Sequence, residues 1–210
     1  MQGILDLLNS DLGKKIVSGI ASDTNQSSSK TADVLTMALP VLTKAMQRNA
    51  SSPEGAESLM NALNNKHDGN ILNNLDSFFG GGVDSSAKSE GEKILGHILG
   101  SKKTGVENVI GQKANLDSGN VANILKVAAP ILMGVLGNTK KQSNVSSSND
   151  LGGLLGNMLG GNDTQSEQSF LEKILDADGD GSVIDDVAGM FLDKSKNKGG
   201  LGSLISGLFK

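Results

Sequence analysis

The chain of 210 residues contains no cysteine, tryptophan or tyrosine, and only five phenylalanines. Without cysteine it cannot form disulfides or offer thiolate ligands to a metal, and this usage fits a reducing compartment. The shortage of aromatic rings removes the stacking surfaces on which proteins bind single-stranded nucleic acid. A hydrophobic core must therefore be built from Leu, Ile, Val, Ala and Met, with little of the area that aromatic rings bury.

Charge and hydropathy argue against further classes of protein. The formal net charge of −4 and the sequence pI near 5.2 lack the basic footprint of a nucleic-acid-binding domain. No window reaches the roughly eighteen continuous apolar residues of a membrane-spanning helix. Residues 1–6 have neither the basic start nor the long apolar run of a secretory signal. We therefore expect a cytoplasmic protein that does not bind nucleic acid.

Apolar residues recur at helical spacing along the chain, and strand-like alternation is missing. One such series runs through Leu5, Leu8, Leu12 and Ile16. The chain also contains 28 glycines, and each glycine inside a helix costs about 1 kcal/mol relative to alanine. The pattern predicts an all-α protein made of short helices with modest stability.

Two parts of the chain match each other at a constant offset of about 90 residues. Residues 34–42 align with residues 124–132, and the match continues upstream without a gap as far as Ile16 and Val106. We interpret this as one helical unit used twice. The sequence therefore predicts two similar small helical bundles, followed by a C-terminal helix–loop–helix tail.

Pro40 and Pro130 stand at equivalent places in the two matching segments. A proline inside a helix removes one hydrogen bond and bends the helix, whereas a proline in the first turn starts one. The sequence leaves both readings open. Polar residues that precede apolar runs predict helix starts near Ser29, Ser52, and Asp117 or Ser118.

Segments rich in Ser, Gly, Asn and Asp interrupt the helical pattern at residues 22–29, 80–86 and 140–149. The last of these is the strongest boundary. We expect a duplicated helical domain at residues 1–139, a flexible linker at residues 140–150, and Gly/Leu-rich helices with an acidic loop at residues 151–210.

The acidic loop, residues 176–187, resembles the calcium loop of an EF-hand. Three carboxylates occupy loop positions 1, 3 and 5, which can converge on one hard cation, and they belong to Asp176, Asp178 and Asp180. Gly181 at position 6 permits the sharp turn that brings the backbone carbonyl of Ser182 onto the ion. The loop therefore predicts a Ca²⁺ site.

The same loop departs from the EF-hand pattern at position 12, where Val187 replaces the usual bidentate glutamate. A loop that closes early could use Asp185 or Asp186 instead. The departure favours weak affinity and a structural ion. The alternative interpretation is an acidic turn between two helices that binds no metal.

His67 and His97 are the only histidines. Asp68 follows His67, but adjacent side chains diverge and no nucleophile is marked near them, so the pair does not predict a catalytic dyad. A hydrolase that uses His67 or His97 is kept as a further alternative. It requires a pocket that joins both histidines to an acidic residue.

The last residues of the chain form an amphipathic pattern. One helical face carries Leu201, Leu204, Ile205 and Leu208, and the other carries Gly and Ser. We expect this segment to pack within or between chains. The alternative is a peripheral membrane-surface protein that uses it together with the Gly/Leu helix at residues 151–159, although such helices usually carry several Lys or Arg.

Several motifs resemble a bacterial family of domains of unknown function related to YidB. They lie at residues 38–42, 49–56, 66–69, 91–100 and 129–133. The resemblance covers about residues 1–140, and the Asp-rich loop with its following helix is similar to a tail that many members carry. It implies a compact helical fold, reminiscent of homeodomains, without an established enzyme activity and without catalytic residues to carry over.

These observations predict a non-enzymatic all-α protein that self-associates or scaffolds a partner protein. Small residues on helix faces allow another helix to approach closely, which makes homo-oligomers plausible. The predicted Ca²⁺ would stabilise the C-terminal region.

Overall fold

The computed structural model of the chain describes residues 3–160, and within this range it is helical without any β-strand. The all-α prediction is thus confirmed for these residues. The predicted calcium loop and the helices expected around it lie outside them. The α-helices are α1 Ile4–Asn9, α2 Asp11–Thr24, α3 Ser28–Asn49, α4 Pro53–Asn65, α5 Asn70–Asn73, α6 Leu75–Phe79, α7 Ser85–Leu99, α8 Lys103–Ala114, α9 Ser118–Gln142 and α10 Leu151–Leu159. Short 3₁₀ turns follow α7 and precede α10.

Short polar side chains fix the starts of five of these helices. In each case a Ser or Asp oxygen accepts a hydrogen bond from a backbone N–H two or three residues later, which satisfies a donor that the helix leaves unpaired. These caps are Ser10, Ser27, Ser52, Asp84 and Asp117. The predicted starts at Ser52 and Asp117 are confirmed. Helix α3 begins two residues earlier than Ser29 suggested, because the Ser27 hydroxyl caps it.

Pro40 and Pro130 both lie inside continuous helices, α3 and α9. This settles the choice that the sequence left open, in favour of an internal proline. Each proline lacks the N–H that would bond to the carbonyl four residues earlier. In α9 that unpaired carbonyl belongs to Lys126.

Helix α9 is the centre of the fold, and α2, α3, α4, α5, α7 and α8 all pack against it. The buried apolar residues of both matching segments belong to one continuous cluster. The expected pair of separate bundles is therefore replaced by a single shared core among the described residues. The reason is that α2 of the first segment packs on α9, and α8 of the second segment packs on α3.

The helix pairs α2–α3 and α8–α9 are joined by similar turns. Asn25 directly follows α2 and Asn115 directly follows α8, and both asparagines adopt the left-handed conformation, with φ of 53° and 51°. A capping side chain follows two residues after each of them. Asparagine tolerates this conformation better than most residues.

Helix α10 packs on α3 and belongs to the same core. The side chain of Gln47 in α3 donates to the carbonyl of Gly152 over 3.3 Å. The apolar side chains that α10 buries are Leu151, Leu154, Leu155 and Met158. Helix α9 extends through Gln142, so regular structure continues into the segment that the sequence marked as a linker.

Helix α9 is also the one helix of the described region that is long and apolar enough, by composition, to cross a membrane. However, 67% of its most apolar stretch is buried inside the fold. Packing against six neighbouring helices accounts for its apolar composition.

Candidate binding groove

A groove of about 900 Å³ runs between α4 and α7. One wall is α4 and the other is α7, and the floor comes from the end of α3 and the middle of α9. The buried apolar side chains that line it are Met46, Ile94, Ile98 and Met133. Methionine side chains are flexible and polarisable, so such a floor can adapt to more than one apolar surface.

The α7 wall is held in place by close backbone contact with α9. Gly91 lies so near the carbonyl oxygen of Lys126 that a Cβ atom at this position would overlap it. Beside this contact, Glu92 pairs with Lys103 of α8 at 2.8 Å and with Lys126 at 3.1 Å. The hydrogen bond from Lys103 is the main cause that lowers the pKa of Glu92. These contacts fix one side of α7 and leave its opposite side to the groove.

The α4 wall is fixed at both ends. At its start, Asn49 donates from its side-chain nitrogen to the carbonyls of His97 and Ile98, each over 3.1 Å, which ties the end of α3 to the end of α7. At its end, the carbonyl of His67 packs against Gly137 of α9, where a Cβ atom would not fit. The groove is thus framed by packed helices rather than being a gap between loops.

His67 and Glu90 face each other across the groove. The distance from His67 Nε2 to Glu90 Oε1 is 3.6 Å, and the His67 side chain is 10% exposed. Burial lowers the pKa of His67 below its ordinary value of 6.5, while the nearby Glu90 carboxylate acts in the opposite direction. His67 is therefore neutral at pH 7. Glu90 has a second neighbour, Lys66, whose Nζ lies 3.9 Å from Glu90 Oε1.

The rim of the groove is positively charged. Three cationic side chains, Arg48, Lys66 and Lys93, line it together with one carboxylate, Glu90. Counted without the histidines, the formal charge of the lining is +2, whereas the whole chain, counted in the same way, carries −4. An apolar floor under a cationic rim suits a ligand that combines apolar side chains with carboxylates.

The structure brings together the two histidines that the sequence could not connect. His67 and His97 both line the groove, together with Glu90, as the hydrolase alternative requires. Two hydroxyls line the groove, those of Ser52 and Ser58. The Ser52 hydroxyl caps α4 and donates to the Asn49 carbonyl. In the described range, no hydroxyl hydrogen-bonds to either imidazole, and no three His, Asp or Glu side chains are grouped to hold a metal ion.

Sequence reasoning named His67 and His97 but missed Glu90 and Lys93. Glu90, Lys93 and His97 follow one another at spacings of three and four, so one face of α7 carries all three. That spacing in the sequence already indicated a shared polar face on this helix. The predicted metal ligands lie beyond residue 160, outside the described residues, and they are Asp176, Asp178, Asp180, Ser182, Asp185 and Asp186.

Comparison with known proteins adds one match. A search of curated proteins and a search of solved structures each returned no match. The model of a family described as "Bacterial protein of unknown function (DUF937)" matches residues 6–139, which is more than half of the chain. This range contains both walls and the whole floor of the groove. The chain therefore belongs to this bacterial family of unknown function, DUF937.

Proposed function

We propose that the protein is a non-enzymatic helical binding protein whose α4–α7 groove receives an acidic, amphipathic helix of a partner protein. The observation that carries this proposal is the combination of a methionine-containing apolar floor with a rim of formal charge +2. Amphipathic helices commonly bind by laying their apolar face into such a groove. Carboxylates along the edges of the ligand would meet Lys66 and Lys93.

The dimensions of the groove fit a short helix. Its walls, α4 and α7, contain 13 and 15 residues, which corresponds to lengths of about 20 Å. A helix of about a dozen residues would span this length and present three or four apolar side chains to the floor. The groove is larger than a single side chain would fill, and it is open enough to receive a short helix.

A binding role is favoured over catalysis by the surroundings of His67 and Glu90 in the groove. Burial keeps His67 neutral and its neighbour Glu90 is shared with Lys66. With no hydroxyl bonded to either imidazole in the described residues, the arrangement lacks the nucleophile and base contact of a hydrolase. His67 acts in this proposal as a packing and hydrogen-bonding group of the groove wall.

We also propose that the chain contains an internal duplication and that it is related to YidB. The helix pairs α2–α3 and α8–α9 share a left-handed asparagine, a following cap and an internal proline, all at an offset of 90 residues. These shared features support descent of both pairs from one ancestral unit. The relation to YidB rests on the sequence motifs alone.

The C-terminal region and the location of the protein also remain proposals from the sequence. Residues 176–187 are proposed to bind Ca²⁺ through the acidic ligands named above, and the chain is proposed to act in the cytoplasm. Self-association is the second candidate function, since a second copy of the chain could supply the helix that fills the groove.

Two synthetic peptides test the proposed function. Both carry leucines at helical spacing, and one bears Glu while its matched counterpart bears Lys at the remaining positions. We expect fluorescence anisotropy to show saturable binding of the acidic peptide alone to the full chain. Lys93→Glu, on the exposed rim, should weaken it about fivefold, since one favourable charge contact of about 1 kcal/mol is lost.

Lys14→Glu provides the matched control, because Lys14 is exposed on α2 and does not line the groove. It changes the net charge by the same amount and should leave the affinity unchanged. Equal weakening by both variants, or equal binding of the acidic and basic peptides, would contradict a specific site at the groove.

A further inference from the structure

We infer that the groove has an occupant within the chain itself, the acidic segment at residues 163–186, so that a partner must compete with it. This inference rests on the proposed function of the groove and adds the identity of a ligand. It follows from the distribution of charge, from the apolar residues of the segment and from the place where α10 ends.

The net charge of the chain is confined to its last fifty residues. Residues 1–160 contain 14 Lys or Arg and 14 Asp or Glu, so they are formally neutral, and the remaining residues carry the whole charge of −4. Within these, the acidic segment contains eight carboxylates and a single lysine, Lys173. Five of the carboxylates belong to the proposed Ca²⁺ loop, and a bound Ca²⁺ ion would still leave the segment with a net negative charge. The strongest negative charge of the chain thus complements a groove lining of formal charge +2.

The acidic segment also offers apolar side chains for the floor of the groove. Phe170, Leu171, Ile174 and Leu175 lie at spacings that would share one helical face. Glu167 precedes them by three residues, and Glu172 stands between Leu171 and Ile174 in sequence, outside that face. This composition is that of the acidic amphipathic partner that the groove suits.

The last described helix, α10, begins close to the groove and ends beside Gly3, at the start of α1. Gly152, at the start of α10, contacts Gln47, whose neighbours Met46 and Arg48 line the groove. From there α10 advances by about 11 Å to Leu159. Residues 161–169 can bridge up to about 30 Å when extended. Phe170 can therefore reach the groove of the same chain.

Attachment to the same chain favours this occupant over a second copy. A tethered ligand has an effective concentration of about a millimolar, far above that of free chains in dilute solution. The same tether would make the segment a built-in competitor. A partner helix would bind in proportion to the fraction of grooves that the segment leaves open.

Engineered cysteines test the inference directly, since the chain has none of its own. The test pair is Asn61→Cys, exposed on the α4 wall, with Ser169→Cys. The control pair joins Ser169→Cys to Gln112→Cys, near the α8–α9 turn. Lys30, near the start of α3, donates to the carbonyl of Ala114 in this turn. Asn49, at the groove end of α3, is about 28 Å from Lys30 along the helix, so the turn is far from the groove. We expect an intramolecular disulfide to form at least fivefold faster in the test pair.

Lys93→Glu in the test pair should slow this disulfide several-fold, and a mixture of the two single-cysteine chains should give no dimer. Equal rates in the test and control pairs would overturn the inference. Efficient disulfides between the two single-cysteine chains would overturn it as well, because the occupant would then be a second copy.

Peptide affinity separates failure of the inference from failure of the proposed function. A chain with Glu167→Gln and Glu172→Gln should bind the acidic peptide severalfold more tightly than the natural chain, because its own segment competes less. Equal binding to both chains would overturn the inference while the proposed function stands. No binding to either chain would overturn the proposed function itself.

Discussion

Gly91 in α7 packs against the carbonyl oxygen of Lys126 in α9, and that carbonyl is the one that Pro130 leaves without its helical donor. The carbonyl that lacks a helical hydrogen bond because of Pro130 is thus the same carbonyl that Gly91, which has no side chain, allows α7 to approach. The contact lets the backbones of α7 and α9 approach closely, and it sets the position of the α7 wall of the groove.

This relationship predicts that Gly91→Ala is strongly destabilising. The added Cβ would overlap a backbone atom that cannot move aside, and overpacking of this kind costs about 1–3 kcal/mol. Gly96→Ala in the same helix is the control, because nothing lies within 4 Å of its added Cβ. That change should stabilise the helix by up to about 1 kcal/mol. Urea unfolding measures both, and similar free energies of unfolding for the two variants would show that α7 and α9 are not in contact at Gly91.

The matching turns predict equal effects of equivalent substitutions. Asn25 and Asn115 both adopt positive φ, so replacement of either by alanine should lower the free energy of unfolding by about 1 kcal/mol. Replacement by glycine should cost less, since glycine adopts this conformation freely. Thermal unfolding of the four single variants checks this. A glycine variant less stable than its alanine counterpart at either site would contradict the assigned backbone conformation.

His67 predicts how stability depends on pH. Its pKa is lowered in the folded protein, chiefly by burial, so the unfolded chain binds the proton more readily. The stabilising contribution is therefore complete above pH 6.5 and is lost as pH falls from there toward the lower folded pKa. Urea unfolding between pH 7.5 and 5.5 should show this loss in the natural chain and a smaller one in His67→Gln. An identical slope in both would assign the effect to other groups.

The contact between Glu90 and His67 can be checked separately by NMR. The Glu90 carboxylate raises the pKa of His67 against the larger effect of burial. Glu90→Gln should therefore lower the pKa of the His67 imidazole further. An imidazole titration that moves upward in this variant, or does not move, would place Glu90 away from the ring.

The calcium loop is tested by calorimetry on the metal-free full chain. We expect saturable Ca²⁺ binding with a raised melting temperature, since ligands that bind only the folded state stabilise it. Replacement of Asp176, Asp178 and Asp180 by Asn should remove both effects. A control with Asp163→Asn and Asp193→Asn, outside the loop, should retain them. Absence of heat in the natural chain would reduce the loop to an acidic turn.

Local features of the fold were predictable because they depend on neighbouring residues. Serine and aspartate before apolar runs indicated the starts of α4 and α9, and apolar spacing indicated helices throughout. The groove was not predictable in the same way. An apolar stripe shows which face of a helix is buried, but not which helix covers it. Met46 and Met133 are 87 positions apart, and only the packing of α3 on α9 brings them to one floor.

The most direct test of the account is a titration of the full chain, labelled with ¹³C at its methionine methyl groups, with the acidic peptide. Met46 and Met133 line the groove, whereas Met158 belongs to α10, is buried and does not line it. We predict that the signals of Met46 and Met133 shift in a saturable manner while that of Met158 stays in place, and that Lys93→Glu reduces the response. Unchanged signals at Met46 and Met133 at saturating peptide would contradict the groove as a binding site.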